Sequence, residues 1–102
     1  MNKEKKLPEI PKSLQGILWS VNVARLDLER DKNYIIHQVL AYGNLEQIRW
    51  LFQVYGRQGV KDVFMKEPTR VYDQGSFIFV KNIILNLKTA SLDKKRYVQS
   101  TF

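Results

Sequence analysis

Between Asp31 and Gly56 the apolar residues recur at helical spacing. Ile35, Ile36, Val39 and Leu40 form one stripe over Lys32 to Tyr42. Asp31 is placed to cap that helix, and Gly43 suits the left-handed position just after its end. Asn44 then opens a second helix. Gln47, three residues on, completes a capping box, and Leu45, Ile48, Leu51, Phe52 and Tyr55 share a face until Gly56. With only Gly43 and Asn44 between them, the two helices must turn sharply against each other.

The flanks are less regular. Residues 1–12, with Pro8 and Pro11, read as an extended lead-in, and Ser13 can cap a short helix through Leu14, Ile17, Leu18 and Trp19 that Gly16 weakens. From Ser20 to Arg30 apolar and polar residues alternate. With no clear partner strand, this stretch reads as an extended loop laid over the core. Val60, Val63 and Phe64 predict a third short helix after Gly59, stopped before Pro68 because the residue preceding a proline is pushed out of helical geometry. Asp73 or Ser76 can cap a last element. Its run, Phe77 to Leu85, is apolar on nearly all sides and rich in strand formers, so helix and buried strand compete, and helix is the reading taken. The expected fold is mainly α: a compact small bundle of four to five short helices with an extended N-terminal segment. Residues 1–12 form a basic lead-in, 13–87 a single helical domain, and 88–102 a basic tail or frayed helix.

Composition narrows the function. The chain has 102 residues, 44% hydrophobic and 26% charged, enough for one core and typical of a globular domain. The absence of cysteine removes disulfides and thiolate chemistry together. No apolar run follows the N-terminal lysines, and the stretch Phe77 to Leu87 is interrupted by Lys81, Asn82 and Asn86, so a cytoplasmic protein is expected. The net charge of +7 is unevenly placed. Residues 1–12 hold four bases and two acids, residues 88–102 four bases and one acid, and residues 13–87 nine bases and seven acids. A duplex-binding domain gathers its bases on one face, whereas here most of the excess falls in the expected tails.

No catalytic set emerges. His37 is the only histidine, which rules out a multi-histidine metal site, and it reads as a partly exposed structural residue. Asp27, Glu29 and Asp31 alternate like the first ligands of a calcium loop. The loop's sixth position, however, is Lys32 where glycine is needed, and its twelfth is Gln38 where glutamate is needed. These acids fit a helix entry better. No metal and no cofactor is expected. Gly56-Arg57-Gln58-Gly59 matches the GXXG loop with which KH domains clamp a nucleic-acid backbone, although the surrounding three-stranded sheet is not legible. The same stretch can be read as a helix-turn-helix. On either version Arg49, Arg57, Gln58, Lys61, Lys95 and Arg96 would contact nucleic acid. Trp19 and Trp50 can each anchor a core or an interface. Trp50 with Val54, lying off the main stripe, and Phe79 with Ile83 on the last helix are the candidate residues for a protein partner.

Taken together, Leu18-Trp19-Ser20-Val21-Asn22, Leu26, Tyr34 through Gly43, and Leu51-Phe52-Gln53-Val54-Tyr55-Gly56 resemble an uncharacterised small prokaryotic family, over residues 17–87. Ser20 stands where that pattern has Asp, and Val80-Lys81 where it has Phe-Trp. Members of the family are often encoded beside AbiEii-type nucleotidyltransferase toxins. The resemblance therefore implies a non-enzymatic, antitoxin-like accessory that binds a protein partner. A nucleic-acid-binding module is the alternative, and self-association is open. Partner identity and oligomeric state are not legible in the residues.

Overall fold

The computed structural model describes residues 9–99; the rest of the expected lead-in and the last residues of the expected tail lie outside that range. Among the described residues there are three α-helices, fewer than the four to five expected: α1 (Lys32–Tyr42), α2 (Leu45–Lys66) and α3 (Gln74–Phe79). Three 3-10 turns, Lys12–Gly16, Val23–Arg25 and Lys94–Arg96, complete the regular structure with a π-helical turn, Val80–Ile84, that continues α3. The radius of gyration is 14.0 Å, close to the ~13 Å of a compact domain of about this length.

The reduction in helix number comes from α2. The sequence predicts a stop at Gly56 and a new helix after Gly59. Instead the backbone breaks at Gly56 alone, with φ 77° and ψ 152°, and helix resumes at once through Lys66. Only glycine enters that conformation without strain, so one residue both ends the first arm and starts the second. The capping box is present as expected. Asn44 Oδ1 accepts from the Gln47 N–H at 2.8 Å, and Gln47 Oε1 accepts from the Asn44 N–H at 2.9 Å.

Gly43 is required for a different reason from the one expected. Its φ is −80°, so it is not left-handed. A Cβ there would stand 2.6 Å from the Val39 carbonyl oxygen, and this close approach excludes any larger residue. Asp31 precedes α1 without capping it through its side chain. Its carboxylate turns back to accept from the Asp27 N–H and pairs with Arg30 at 2.9 Å. Asp27 in turn accepts from the N–H groups of Glu29 and Arg30, so residues 27–31 form a tight turn. The expected extended loop over 20–30 is thus a chain of turns, with the 3-10 turn at Val23–Arg25 inside it. Tyr55 Oη donates to the Leu28 carbonyl at 2.7 Å and fastens this turn to α2. Ser13 opens no helix of its own. Its hydroxyl accepts from Gln47 Nε2, and the 3-10 turn begins at Lys12, just after Pro11.

The core is built around α1, whose residues Ile35 to Leu40 are all buried, His37 and Gln38 included. Leu14, Leu18, Leu51, Val60, Phe64, Phe77 and Leu85 pack with them. The buried face of α2 is rotated from the expected one. Leu45, the helix's first residue, stands in solvent, while Trp50 is buried. Burying the indole removes a larger apolar area from water than burying the leucine would.

The chain after Leu87 is not a free tail. Tyr97 is buried, its hydroxyl donates to the Phe64 carbonyl, and its ring lies 4.8 Å from Phe64 and 4.9 Å from Phe77. Tyr72 and Val98 form a parallel bridge through Tyr72 N–H to Tyr97 O (3.0 Å) and Gln99 N–H to Tyr72 O (2.9 Å). The core therefore includes part of the segment expected to lie outside it.

α3 settles the competition between helix and strand in favour of helix. Asp73, rather than Ser76, is the cap; its carboxylate accepts from the Ser76 N–H at 2.7 Å. The π turn closes with Leu85 N–H to Val80 O at 2.9 Å, five residues back. Val80 and Leu85 consequently both face the core, and Ile83 is left to solvent. The run ends at Asn86, whose φ of 53° stops the helix.

Candidate functional site

His37 is buried in the core rather than partly exposed. Its Nε2 is 2.7 Å from the Glu67 carbonyl oxygen, which can only accept, so that nitrogen carries the proton. Nδ1, 2.8 Å from Tyr72 Oη, then accepts the phenolic hydrogen. Burial holds the imidazole pKa below its ordinary value and pushes that of Tyr72 well above. With both ring nitrogens engaged and no solvent access, the histidine ties the end of α2 to the Tyr72 segment and has no nitrogen left for a substrate. Among the described residues no group of three or more His, Cys, Asp or Glu side chains is placed to hold a metal ion.

The glycine motif does not form a loop. Arg57, Gln58 and Gly59 are helical, so the backbone-clamping geometry of a GXXG turn is absent. Arg57 Nη1 donates to the Ile84 carbonyl at 2.9 Å while its guanidinium lies 4.6 Å from the Phe52 ring centroid. Gln58 Nε2 donates to Asp62. Lys95 and Arg96 sit on the turn beside Tyr97, near the far end of α2 from Arg49. Arg57, Gln58 and Lys61 thus share the second arm of α2, while Arg49 lies on its first arm and Lys95 and Arg96 on the last 3-10 turn.

Of the candidate partner residues, Trp50 is a core side chain at 4% exposure, and Val54 is half-buried. Among the described residues the Trp50 indole N–H has no hydrogen-bond partner. Phe79 and Ile83 are exposed, Ile83 at 61%. Sequence spacing did not single out what Ile83 faces. Leu45, Ile48, Arg49, Phe52 and Arg57 of α2 and Ile83 and Ile84 of the π turn line a groove of about 330 Å³. Leu45 is 68% exposed at its rim. The Arg57 bond to Ile84 stitches the two walls together, and the break at Gly56 is what starts the second arm of α2 at Arg57. The residues that leave the groove open are Leu45, placed on the buried face by spacing, and Ile83, turned outward by the π turn. Neither displacement follows from a regular period.

Two other concavities flank the N-terminal segment. One, about 350 Å³, is lined by Glu9, Ser13, Glu46 and Trp50 among others, and one of about 520 Å³ by Glu9, Ile10, Gln15 and Val23 among others. Both adjoin Glu9, the first described residue, whereas the groove is built wholly from described helices. A separate exposed pair, Trp19 and Tyr42, has ring centroids 5.0 Å apart. Their polar atoms are bonded to the Gly16 and Val71 carbonyls.

Fold and groove together define a small helical module whose prominent surface feature is apolar. The chain belongs to a family of unknown function (DUF6922), whose model matches residues 14–64, half of the chain. The matched part runs from Leu14 to the second arm of α2; α3 and the π turn lie beyond it. No curated protein and no solved structure matches the chain.

Proposed function

We propose that this chain is a non-enzymatic interaction module that docks a protein partner on the groove between α2 and the π turn. The observation that carries the reading is the exposure of Leu45 of α2 and Ile83 of the π turn in the lining of one cavity, which Ile48 and Phe52 share. Isolated exposed aliphatic residues are ordinary, but apolar side chains gathered around a concavity and rimmed by charge are the pattern of a binding surface. Fully burying an exposed leucine or isoleucine side chain gains about 1.5–3 kcal/mol, and with Leu45 68% and Ile83 61% exposed roughly two-thirds of that is left for a partner at each.

The residue resemblance supplies a candidate for that partner, a nucleotidyltransferase-like toxin encoded alongside, with the module acting as its antitoxin-like accessory in the cytoplasm. No helix among the described residues is long and apolar enough to cross a membrane. Copurification with the adjacent gene's product, lost in Ile83→Asp, is the expected result. A clean monomer that leaves the toxin's activity unchanged would remove the toxin role.

A further inference from the structure

The groove's chemistry specifies more than an apolar occupant. Resting on the docking reading above, we infer that it takes an amphipathic helix that carries carboxylates beside its apolar anchors. The lining holds two guanidinium groups, Arg49 and Arg57, and no carboxylate. Arg49 is exposed and makes no ion pair among the described residues. Arg57 spends one Nη1 donor on the Ile84 carbonyl and keeps the rest of its fork. A guanidinium at the edge of a cavity is suited to bidentate acceptance by carboxylates, and a chain of net charge +7 draws an acidic partner by long-range attraction.

The walls decide the partner's shape. Both walls are helical, so they present side chains and not a strand edge, and the Ile84 carbonyl is already taken by Arg57. They offer no open ladder of N–H and C=O groups, so an extended peptide cannot add as a strand. Recognition must run through side chains, as when a helix lays apolar anchors at i, i+3, i+4 and i+7 into a groove. A second copy of the chain fits less well. A two-fold contact sets the same patch against itself, which would bring Arg49 and Arg57 of each copy together without an acid in the lining.

Two labelled helical peptides test this on the full chain. They share leucine anchors, and one carries glutamates flanking them where the other carries glutamines. Binding is read by fluorescence anisotropy and by amide shifts at Leu45, Phe52 and Ile83. The glutamate peptide is expected to bind at least about tenfold more tightly at low salt, with the advantage shrinking as salt screens the contact. Arg49→Glu should erase that advantage, and Ile83→Asp should abolish binding of both peptides while the circular dichroism spectrum is kept. Equal affinities would overturn the acidic occupant and leave groove docking standing. If neither peptide moved the groove amides, both readings would fall. Self-association in sedimentation that Ile83→Asp abolishes would make a second copy the occupant and overturn the acidic helix.

Discussion

Replacing Gly56 and Gly59 one at a time by alanine separates a single-residue break from a four-residue loop. At Gly56 the backbone lies at φ 77° and ψ 152°, a region that essentially only glycine occupies and that costs other residues about 1–3 kcal/mol. Nothing lies within 4 Å of a Cβ built there, so the penalty is one of backbone conformation rather than collision. The smaller entropy of the unfolded alanine chain returns about 0.4–1 kcal/mol, leaving a net loss centred on about 1.3 kcal/mol. Gly59 is the reverse case. It is helical, and its added Cβ would meet Tyr55 Cβ at 3.7 Å, an ordinary contact. Alanine there should stabilise by about 0.5–1 kcal/mol. Urea unfolding followed by tryptophan fluorescence measures both. The reasoning is refuted if both variants destabilise alike, as they would if residues 56–59 formed one loop, or if Gly56→Ala is neutral.

Other consequences can be checked independently. His37 is neutral in the folded chain with a pKa below its ordinary 6.5, so the unfolded chain binds more protons between the two values. Stability is full above pH 6.5 and declines as pH falls below it, by at most about 1.4 kcal/mol per pH unit, until the folded pKa is reached. Denaturant titrations from pH 8 to pH 5 should show that slope, and His37→Gln should remove it. The lowered pKa values of Asp27 and Asp31 place their titration below 3.8, outside this window. Tyr97→Ala should cost about 3–5 kcal/mol in the same assay, whereas a free tail would tolerate it. Gel shifts with duplex DNA and with RNA at low salt are expected to show no band; a salt-steep complex weakened by Arg57→Ala or Lys61→Ala would restore the nucleic-acid reading.

What the residues disclosed and what they concealed divide along physical lines. The stripe of α1 and the Asn44–Gln47 capping box were legible because each depends on neighbours within one turn. The resumption of helix at Arg57 was not. Two glycines close together suggest a loop, and only tertiary packing of Val60, Val63 and Phe64 holds the second arm so near the break. Gly43 was placed correctly for the wrong reason, since the carbonyl of Val39 that excludes a Cβ is invisible to pattern. His37 was legible as structural but not as buried, because its partners, Tyr72 and Glu67, lie 35 and 30 residues away. Ile83, at the groove, and Phe79, outside its lining, were legible as spare apolar surface. Trp50 was legible as a large side chain off the main stripe, suited to core or interface, and it is core. The π turn that exposes Ile83 leaves no periodic signal at all.

The claim on which the functional account depends is that a partner covers Ile83. A photo-reactive amino acid installed at position 83, and separately at position 19 as an equally exposed control at 64%, tests this in the protein's native cells. The account predicts a discrete cross-linked protein from position 83 and none of the same mass from position 19. Cross-links to that protein in equal yield from both positions, or none from position 83, would contradict it.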